Sequence, residues 1–512
     1  MTSQWTWELD EPRVVLLAQL IALKIRSGDV LALRGDLGTG KTTLARALIR
    51  ALLGDDAAEV PSPTFSLQQI YDTPRVRLTH FDFYRLADAA EARELGVEDA
   101  AEEGAVVAEW PEQATALLPP DRFEIVLGET QNAGVRKVVL HGLGAARGRA
   151  RRIGELLNFM RAQPALGEVR VAFLQGDAST RSYARVFTGD GTVLLVDAPR
   201  QPDGPPVRDG KSYSRIAHLA EDMARPFVAI GAALNAAGLS APRVQACDLD
   251  KGILLVEDLG DRVFAAHVAA GAPQAPLWQA AVEALVHLRG IPVPRALPLP
   301  DGSSYSLPRR DRAAFEIEIE LVLDWLWPAL KGAAAAPAVR EEFAAVWAPV
   351  LDRLLALPGG WFLRDYHSPN LIWMPQREAI ARVGIIDFQD ALNEHFAFDL
   401  VSLLQDARVD VAPALERELL DHYCAEVARR EPGFDRAAFD AAYADFGAQR
   451  NTRLLGLWAR LLKRDGKPQY LQNFPRTWQY LARNLAAPAL APVAHWFDRH
   501  FPAALRTGKL AA

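Results

Sequence analysis

The chain has 512 residues, 50% of them hydrophobic and 24% charged, with two cysteines and a formal net charge of -7. That length exceeds what one core organises, so two or three domains are expected. The acidic balance excludes a chain drawn as a whole to nucleic acid or to a membrane surface, and two distant cysteines exclude a disulfide scaffold. The first ten residues lack the basic-then-apolar order of a secretion signal, and no apolar run is long enough to span a bilayer, so a cytoplasmic setting is expected. Glu11 to Arg26 has helical spacing, with Val14, Leu17, Ile21 and Ile25 on one face, and Asp29–Leu33 reads as a short buried strand. The next stretch is Gly35-Asp36-Leu37-Gly38-Thr39-Gly40-Lys41-Thr42-Thr43, followed by an amphipathic helix to Leu53. Strand, glycine-rich turn and helix together make a phosphate-binding loop. Its glycines let backbone N–H groups close around phosphates, Lys41 reaches the outer phosphates, and the Thr42 hydroxyl is placed to ligate magnesium.

Val60-Pro61-Ser62-Pro63-Thr64-Phe65 is a proline-braced loop where such enzymes place a nucleotide-sensing switch. His80-Phe81-Asp82-Phe83-Tyr84-Arg85 follows a strand, and Val106–Glu109 is another strand, ending in an acid beside Trp110. A carboxylate there is expected at magnesium. These four motifs, in this order over residues 5–142, resemble the TsaE family, the P-loop ATPase of threonylcarbamoyladenosine tRNA modification. The resemblance implies that Gly35 to Thr43 bind ATP and that Thr42 and Glu109 hold Mg2+. Asp82 is then a further active-site acid beside Lys41, and Trp110 closes the nucleotide site. It implies work with the TsaB and TsaD subunits and contact with tRNA only indirectly.

Ile125–Leu127 and Lys137–Leu140 read as closing strands. Residues 141–152 turn glycine-rich and basic, which reads as a solvated linker, with a domain boundary near residue 147. The expected domains are therefore 1–146 and 147–512, and Ile153 to Gln163 reads as a helix that begins the second. Val169–Leu174, Ala184–Phe187 and Thr192–Asp197 read as strands. The turn Gly176-Asp177-Ala178-Ser179-Thr180-Arg181 between the first two reads either as a plain hairpin or as a lid over nucleotide phosphates, and as a lid it brings Ser179 and Arg181 to the nucleotide. Gly252–Val256 is a further strand, and its end at Glu257 is the hinge where backbone groups meet adenine. Past Ala275 the pattern is mostly helical.

Inside that helical part, Trp361 to Asn370 is an apolar run ending in a polar loop, and Gly384-Ile385-Ile386 is a strand ending in Asp387. Asp365, four residues, Asn370, then Asp387 after the next strand is the set that phosphoryl transfer needs. One carboxylate accepts the proton of the attacking hydroxyl, and an amide oxygen with a second carboxylate holds magnesium. Singly, each of these residues is equally at home in an ordinary turn.

This portion, about 155–505, resembles the aminoglycoside phosphotransferase superfamily, and within it the AmgK-type anomeric kinases of N-acetylmuramate and N-acetylglucosamine. The likeness rests on residues 176–183, 196–199, 257–260, 363–371 and 386–391, with Phe398-Asp399-Leu400 and Arg464–Pro468. The implied fold is α/β, a P-loop NTPase domain followed by a two-lobed kinase-like α+β domain. Both domains are expected to use ATP and Mg2+, and the second to take a small amino sugar. There are two departures from the superfamily. Leu363 stands where a histidine often precedes the catalytic aspartate, and the strand ending at Asp197 lacks a phosphate-binding lysine, for which Arg181 or Lys211 is a substitute. Arg450 and Arg453 share a helix with Trp458 and are read as packing and surface arginines in preference to ligands of a lactyl carboxylate. An aminoglycoside, choline or amino-alcohol kinase, or a sensing module without catalysis, remains the alternative.

Overall fold

Residues 3–174, 181–506 and 510 are described in the computed structural model. Contacts divide the chain into two units, Met1–Pro199 with Gln245–Asp258, and Arg200–Val244 with Leu259–Ala512. Residues 176–180 of the turn read as a phosphate lid, Ser179 included, lie outside the described residues.

The first unit opens with β1 (Ser3–Asp10) and α1 (Glu11–Ala22). Asp10 caps that helix by accepting from the Arg13 N–H at 3.1 Å, which satisfies one of the orphan donors at a helix start. β2 (Val30–Arg34) is a nearly continuous buried run, as a central parallel strand must be. The phosphate-binding loop leads into α2 (Lys41–Leu53), preceded by Gly40 at φ 102°. β3 (Gln68–Tyr71), β4 (Leu78–Asp82), β5 (Ala105–Glu109), β6 (Phe123–Glu129) and β7 (Val135–Gly142) complete a seven-stranded sheet in the order β1-β7-β6-β2-β5-β4-β3. β4, β5, β2 and β6 are parallel to one another, and the edges are antiparallel. Parallel strands bring their C-terminal ends to one edge, and there Asp82 and Glu109 stand in register.

The helix expected from Ile153 forms and starts six residues earlier, so α3 (Arg147–Arg161) takes in the second half of the expected solvated linker and packs back on the sheet. Its basic residues are used: Arg149 is bonded to Asp29, with Nη2 to Oδ1 at 2.6 Å, and Arg152 donates to Asp197 at 2.7 Å. Composition alone suggested a tether because arginine and glycine dominate it. The apolar face, Ile153, Leu156 and Leu157, decided the outcome. A Cβ on Gly154 would overlap the Trp5 indole, so α3 lies directly against β1.

β8 (Arg170–Leu174), β9 (Ser182–Thr188), β10 (Gly191–Asp197), β11 (Val244–Asp248) and β12 (Ile253–Glu257) form a second sheet in the order β11-β12-β10-β9-β8. One face of it continues the core of the first sheet. Val171, Ala184, Val186, Leu195, Ile253 and Leu255 pack in the same cluster as Leu17, Leu20, Leu48 and Leu156. The junction also carries polar anchors: the Gln19 side chain accepts from the Val171 N–H at 2.8 Å, and Lys24 bonds Asp197 and Ser182.

The second unit is mostly helical. Its long helix α4 (Arg436–Lys463) is capped by Asp435, which accepts from the Ala438 N–H at 3.0 Å. Two short antiparallel pairs interrupt the helices, Gly360–Phe362 with Leu392–Glu394 and Leu371–Trp373 with Val383–Ile385. They pin the ends of the segments that carry Asp365, Asn370 and Asp387.

Candidate active sites

In the first unit the sequence-predicted residues converge on one cleft of about 280 Å³. Gly38, Gly40, Lys41, Thr42, Thr43, Asp82, Glu109 and Trp110 line it, with Leu37, Ser62, Thr64 and Tyr84. Gly35 adopts φ 139° where a Cβ would strike the Leu127 carbonyl, so only glycine fits. The Lys41 ammonium donates to the carbonyls of Gly35 and Asp36 at 2.8 and 2.9 Å and lies 3.8 Å from the centre of the Trp110 ring. Burial holds its pKa below the ordinary lysine value, opposed by Glu109 and Asp82. Thr42 donates to Glu109 at 2.9 Å, and His80, fully buried, bonds the other oxygen of Glu109 at 3.0 Å. Asp82 accepts from Thr64 at 2.8 Å and from the Tyr84 N–H at 3.0 Å, which ties the proline-braced loop to the strand end. Asp36 and Thr39 shape the loop, the Thr39 hydroxyl donating to the Asp36 carbonyl at 2.8 Å. His80 was missed as a functional residue. Its place in a buried run, two residues before the strand's polar end at Asp82, reads as packing.

The hydroxyl–carboxylate pair Thr42–Glu109 suits a cation, and a lysine that bonds two backbone carbonyls is poised to exchange them for phosphate oxygens. Both features fit a magnesium nucleotide.

In the second unit Asp365 stands on a loop held at three points. Asp399 accepts from the N–H groups of Leu363 and Arg364 at 2.6 and 3.0 Å. Asp406 accepts from the Ser368 N–H at 2.8 Å. Arg364, at φ 70°, sends its guanidinium to the Ala217 carbonyl at 3.0 Å and to Glu318 at 2.8 Å. Two carboxylates and an inward arginine thus anchor a loop that has Leu363 in place of histidine. Asp406 carried no signal, because it sits beyond every motif.

Asn370 donates to the Asp365 carbonyl at 3.0 Å and its amide is 3.5 Å from Asp387. Asp387 sits at φ 59°, a region that side chains rarely occupy, and Gln389 donates to it at 3.0 Å. The Asp365 side chain is 31% exposed, and burial, then repulsion from Asp387, raises its pKa. Two carboxylates beside the Asn370 amide fit a divalent cation, and the upward shift makes Asp365 a better proton acceptor than a free aspartate. The structure therefore brings Asp365, Asn370 and Asp387 together. Arg181 precedes β9 and Glu257 ends β12, both in the first unit. Lys211 lies in the second, exposed, on a cavity of about 540 Å³ whose lining includes Arg215, His218 and Tyr305. One wall, Ala220, donates its N–H to Asp390 at 2.6 Å.

Arg450 corrects the reading of surface arginines: it is 3% exposed, and Arg453 keeps 16% of its side-chain exposure.

Residues 10–138 match the family described as threonylcarbamoyl adenosine biosynthesis protein TsaE, and residues 170–439 match the APH phosphotransferase enzyme family. Over 348 residues, 66% of this chain and 94% of the relative, the sequence is 41% identical to an N-acetylmuramate/N-acetylglucosamine kinase of Caulobacter vibrioides. A protein of the same name from Pseudomonas aeruginosa is 31% identical over 337 residues, 64% of this chain and 88% of that one. A tRNA threonylcarbamoyladenosine biosynthesis protein TsaE of Rickettsia prowazekii is 38% identical over 115 residues, 22% of this chain and 79% of that one. The chain is an enzyme that belongs to two families at once, to TsaE through its first part and to the APH phosphotransferases through the remainder.

Proposed function

We propose that this chain joins an ATPase of tRNA threonylcarbamoyladenosine synthesis to a kinase of cell-wall recycling, the two dividing near residue 147. The kinase transfers the γ-phosphoryl group of ATP to the anomeric hydroxyl of N-acetylmuramate or N-acetylglucosamine. The observation that carries this reading is the convergence of Asp365 with the Asn370–Asp387 pair, in a chain 41% identical to a kinase of those sugars. Asp365 accepts the proton of the sugar hydroxyl as its oxygen bonds to phosphorus and the bond to ADP breaks. Asn370 and Asp387 hold Mg2+, which when bound offsets the charge of the transferring phosphoryl group. In the first domain Gly35 to Thr43 bind ATP, Thr42 and Glu109 hold Mg2+, and Asp82 with Lys41 acts on the outer phosphates. Trp110 covers them. Its partners are TsaB and TsaD, with tRNA reached only through them. A cytoplasmic setting belongs to the same reading. Among the described residues no helix is long and apolar enough to cross a membrane.

Phosphorus NMR with Mg-ATP and either sugar tests the kinase, and an acid-labile sugar 1-phosphate is expected. Lys41→Ala should abolish ATP turnover by the first site and leave sugar phosphorylation intact, and Asp365→Asn should do the reverse. Loss of both activities in either variant would overturn the two-site reading.

A further inference from the structure

Helix α4 carries Arg450, Arg453 and Arg460 along one side, at intervals of three and seven residues, which a helix brings onto one face. A fourth arginine, Arg408, reaches the same place, its Nη1 3.2 Å from Nε2 of His367, two residues past Asp365. The cluster is sparsely satisfied. Arg450 donates to the Gln405 carbonyl at 3.2 Å. The Nε atoms of Arg453 and Arg460 are buried with no hydrogen-bond partner among the described residues. Buried donors without partners cost free energy that a ligand recovers.

The acids nearby are shared: Glu318 attracts Arg453 before its other two arginines, and Tyr213 bonds Arg453 as well. Glu318, fully buried, already accepts from Arg310, Arg364 and Gln449 at 3.1, 2.8 and 2.9 Å, and stands 3.8 Å from Arg453. Asp406 is taken by the N–H groups of Ser368 and Arg408. The positive charges also act on one another and on the loop. Burial, then Arg453 and Arg408 against the pull of Asp406, brings the Arg450 pKa down to about 10. Burial, then Arg408, Arg450 and Arg453, holds His367 well below its usual range. Asp365 feels the attraction of Arg453. The cavity on the Asp390 side differs, because its Arg215 is already matched to Asp203 and Glu221 at 2.5 and 2.9 Å. A polycationic acceptor would be repelled from α4, and an anionic one would relieve the crowding of like charges.

We infer that Arg453, with Arg450 behind it, binds a carboxylate on the acceptor sugar, so that this kinase discriminates the sugar acid N-acetylmuramate from neutral N-acetylglucosamine. The inference rests on the acceptor class proposed above and adds the residues that read it. Tyr213, beside Arg453 and under the Arg460 guanidinium at 5.2 Å, limits where that group turns. Glu318 keeps Arg310 and Arg364 when Arg453 is replaced, so the buried ionic network survives the substitution.

The test compares kcat/KM for the two sugars in the full chain and in Arg453→Gln. The N-acetylmuramate to N-acetylglucosamine ratio should fall about 10- to 100-fold, the loss expected for one charge-assisted hydrogen-bonding group, and should appear in KM. Arg453→Lys should restore part of the ratio, since it returns charge without the planar fork. Equal losses on both sugars, or a rise in KM for ATP, would overturn the inference by assigning Arg453 to Asp365 or to nucleotide phosphates. If Arg453→Gln does not fold, thermal shift of the unaltered protein with N-acetylmuramate and its lactyl amide decides: equal stabilisation overturns the inference, and weaker stabilisation by the amide supports it. A protein that phosphorylates neither sugar removes the proposed acceptor class and this inference together. A protein that phosphorylates both with an unmoved ratio removes only the inference.

Discussion

His395 shows at the residue scale how burial sets pH dependence. Its ring lies parallel to Phe446 at 6.0 Å, and its Nδ1 accepts from the Ala397 N–H at 3.3 Å, a bond that requires the neutral form. Burial, then Arg289, lowers its pKa from 6.5 to about 4. A folded-state pKa below the unfolded one means that the unfolded chain binds more protons between those values. The stability from this group is therefore complete above pH 6.5 and is lost as pH falls toward 4. Near pH 5 the stability of the protein should rise with pH more steeply than that of His395→Phe. The expected difference is about 1.4 kcal/mol per pH unit, one proton's worth, read from urea unfolding across the window. Equal slopes would mean that His395 titrates normally. The same logic explains which site residues were legible. Asp365, Asn370 and Asp387 announce themselves by spacing, because each must end a strand or turn in a loop. Arg450 and Arg453 were weighed as carboxylate ligands and read as packing and surface residues, because a helical arginine looks the same in sequence whether its head reaches solvent or is buried.

At the scale of elements, the first six residues of α3, Arg147–Arg152, are the stretch whose character changed most between sequence and structure. Seven residues of α3 are buried, including Ile153, Leu156, Leu157 and Met160, and Trp7 donates to Asn158 at 2.8 Å. Gly154→Val should force the helix off Trp5, and a thermal melt should show a loss of about 1–3 kcal/mol, the usual cost of overpacking. An unchanged melting temperature would mean that α3 does not lie on β1. The strands fared better because period and length speak for them: β2, β5 and β12 are short apolar runs bounded by polar turns, and each forms where its pattern placed it. The first helix was legible from the spacing of Val14, Leu17, Ile21 and Ile25, and the structure adds the Asp10 cap ahead of its proline-led first turn.

For the whole molecule, the shared core across the two sheets makes the ATPase domain a structural part of the first unit of the kinase. A fragment beginning at residue 147 would expose the face of β8–β12 that Leu17, Leu20 and Leu48 cover, together with the Asp197 carboxylate that Lys24 holds. Such a fragment should bind a hydrophobic dye and melt well below the full chain, whereas adding residues 1–146 in trans should lower dye binding. A fragment as stable as the full chain would show that the covered face contributes little.

The sequence by itself determined two chemistries and their order along the chain, because phosphate loops and phosphoryl-transfer loops need fixed residues at fixed short spacings. It also determined most strands and the first helix, whose periodicity is local. Only the tertiary structure decided that a basic, glycine-bearing stretch is a packed helix, that Lys24 meets Asp197 across 173 residues, and that Arg408, Arg450 and Arg453 gather at the loop of Asp365. The reason is physical: a motif is held by neighbours in sequence, whereas burial and charge pairing depend on which distant surfaces meet.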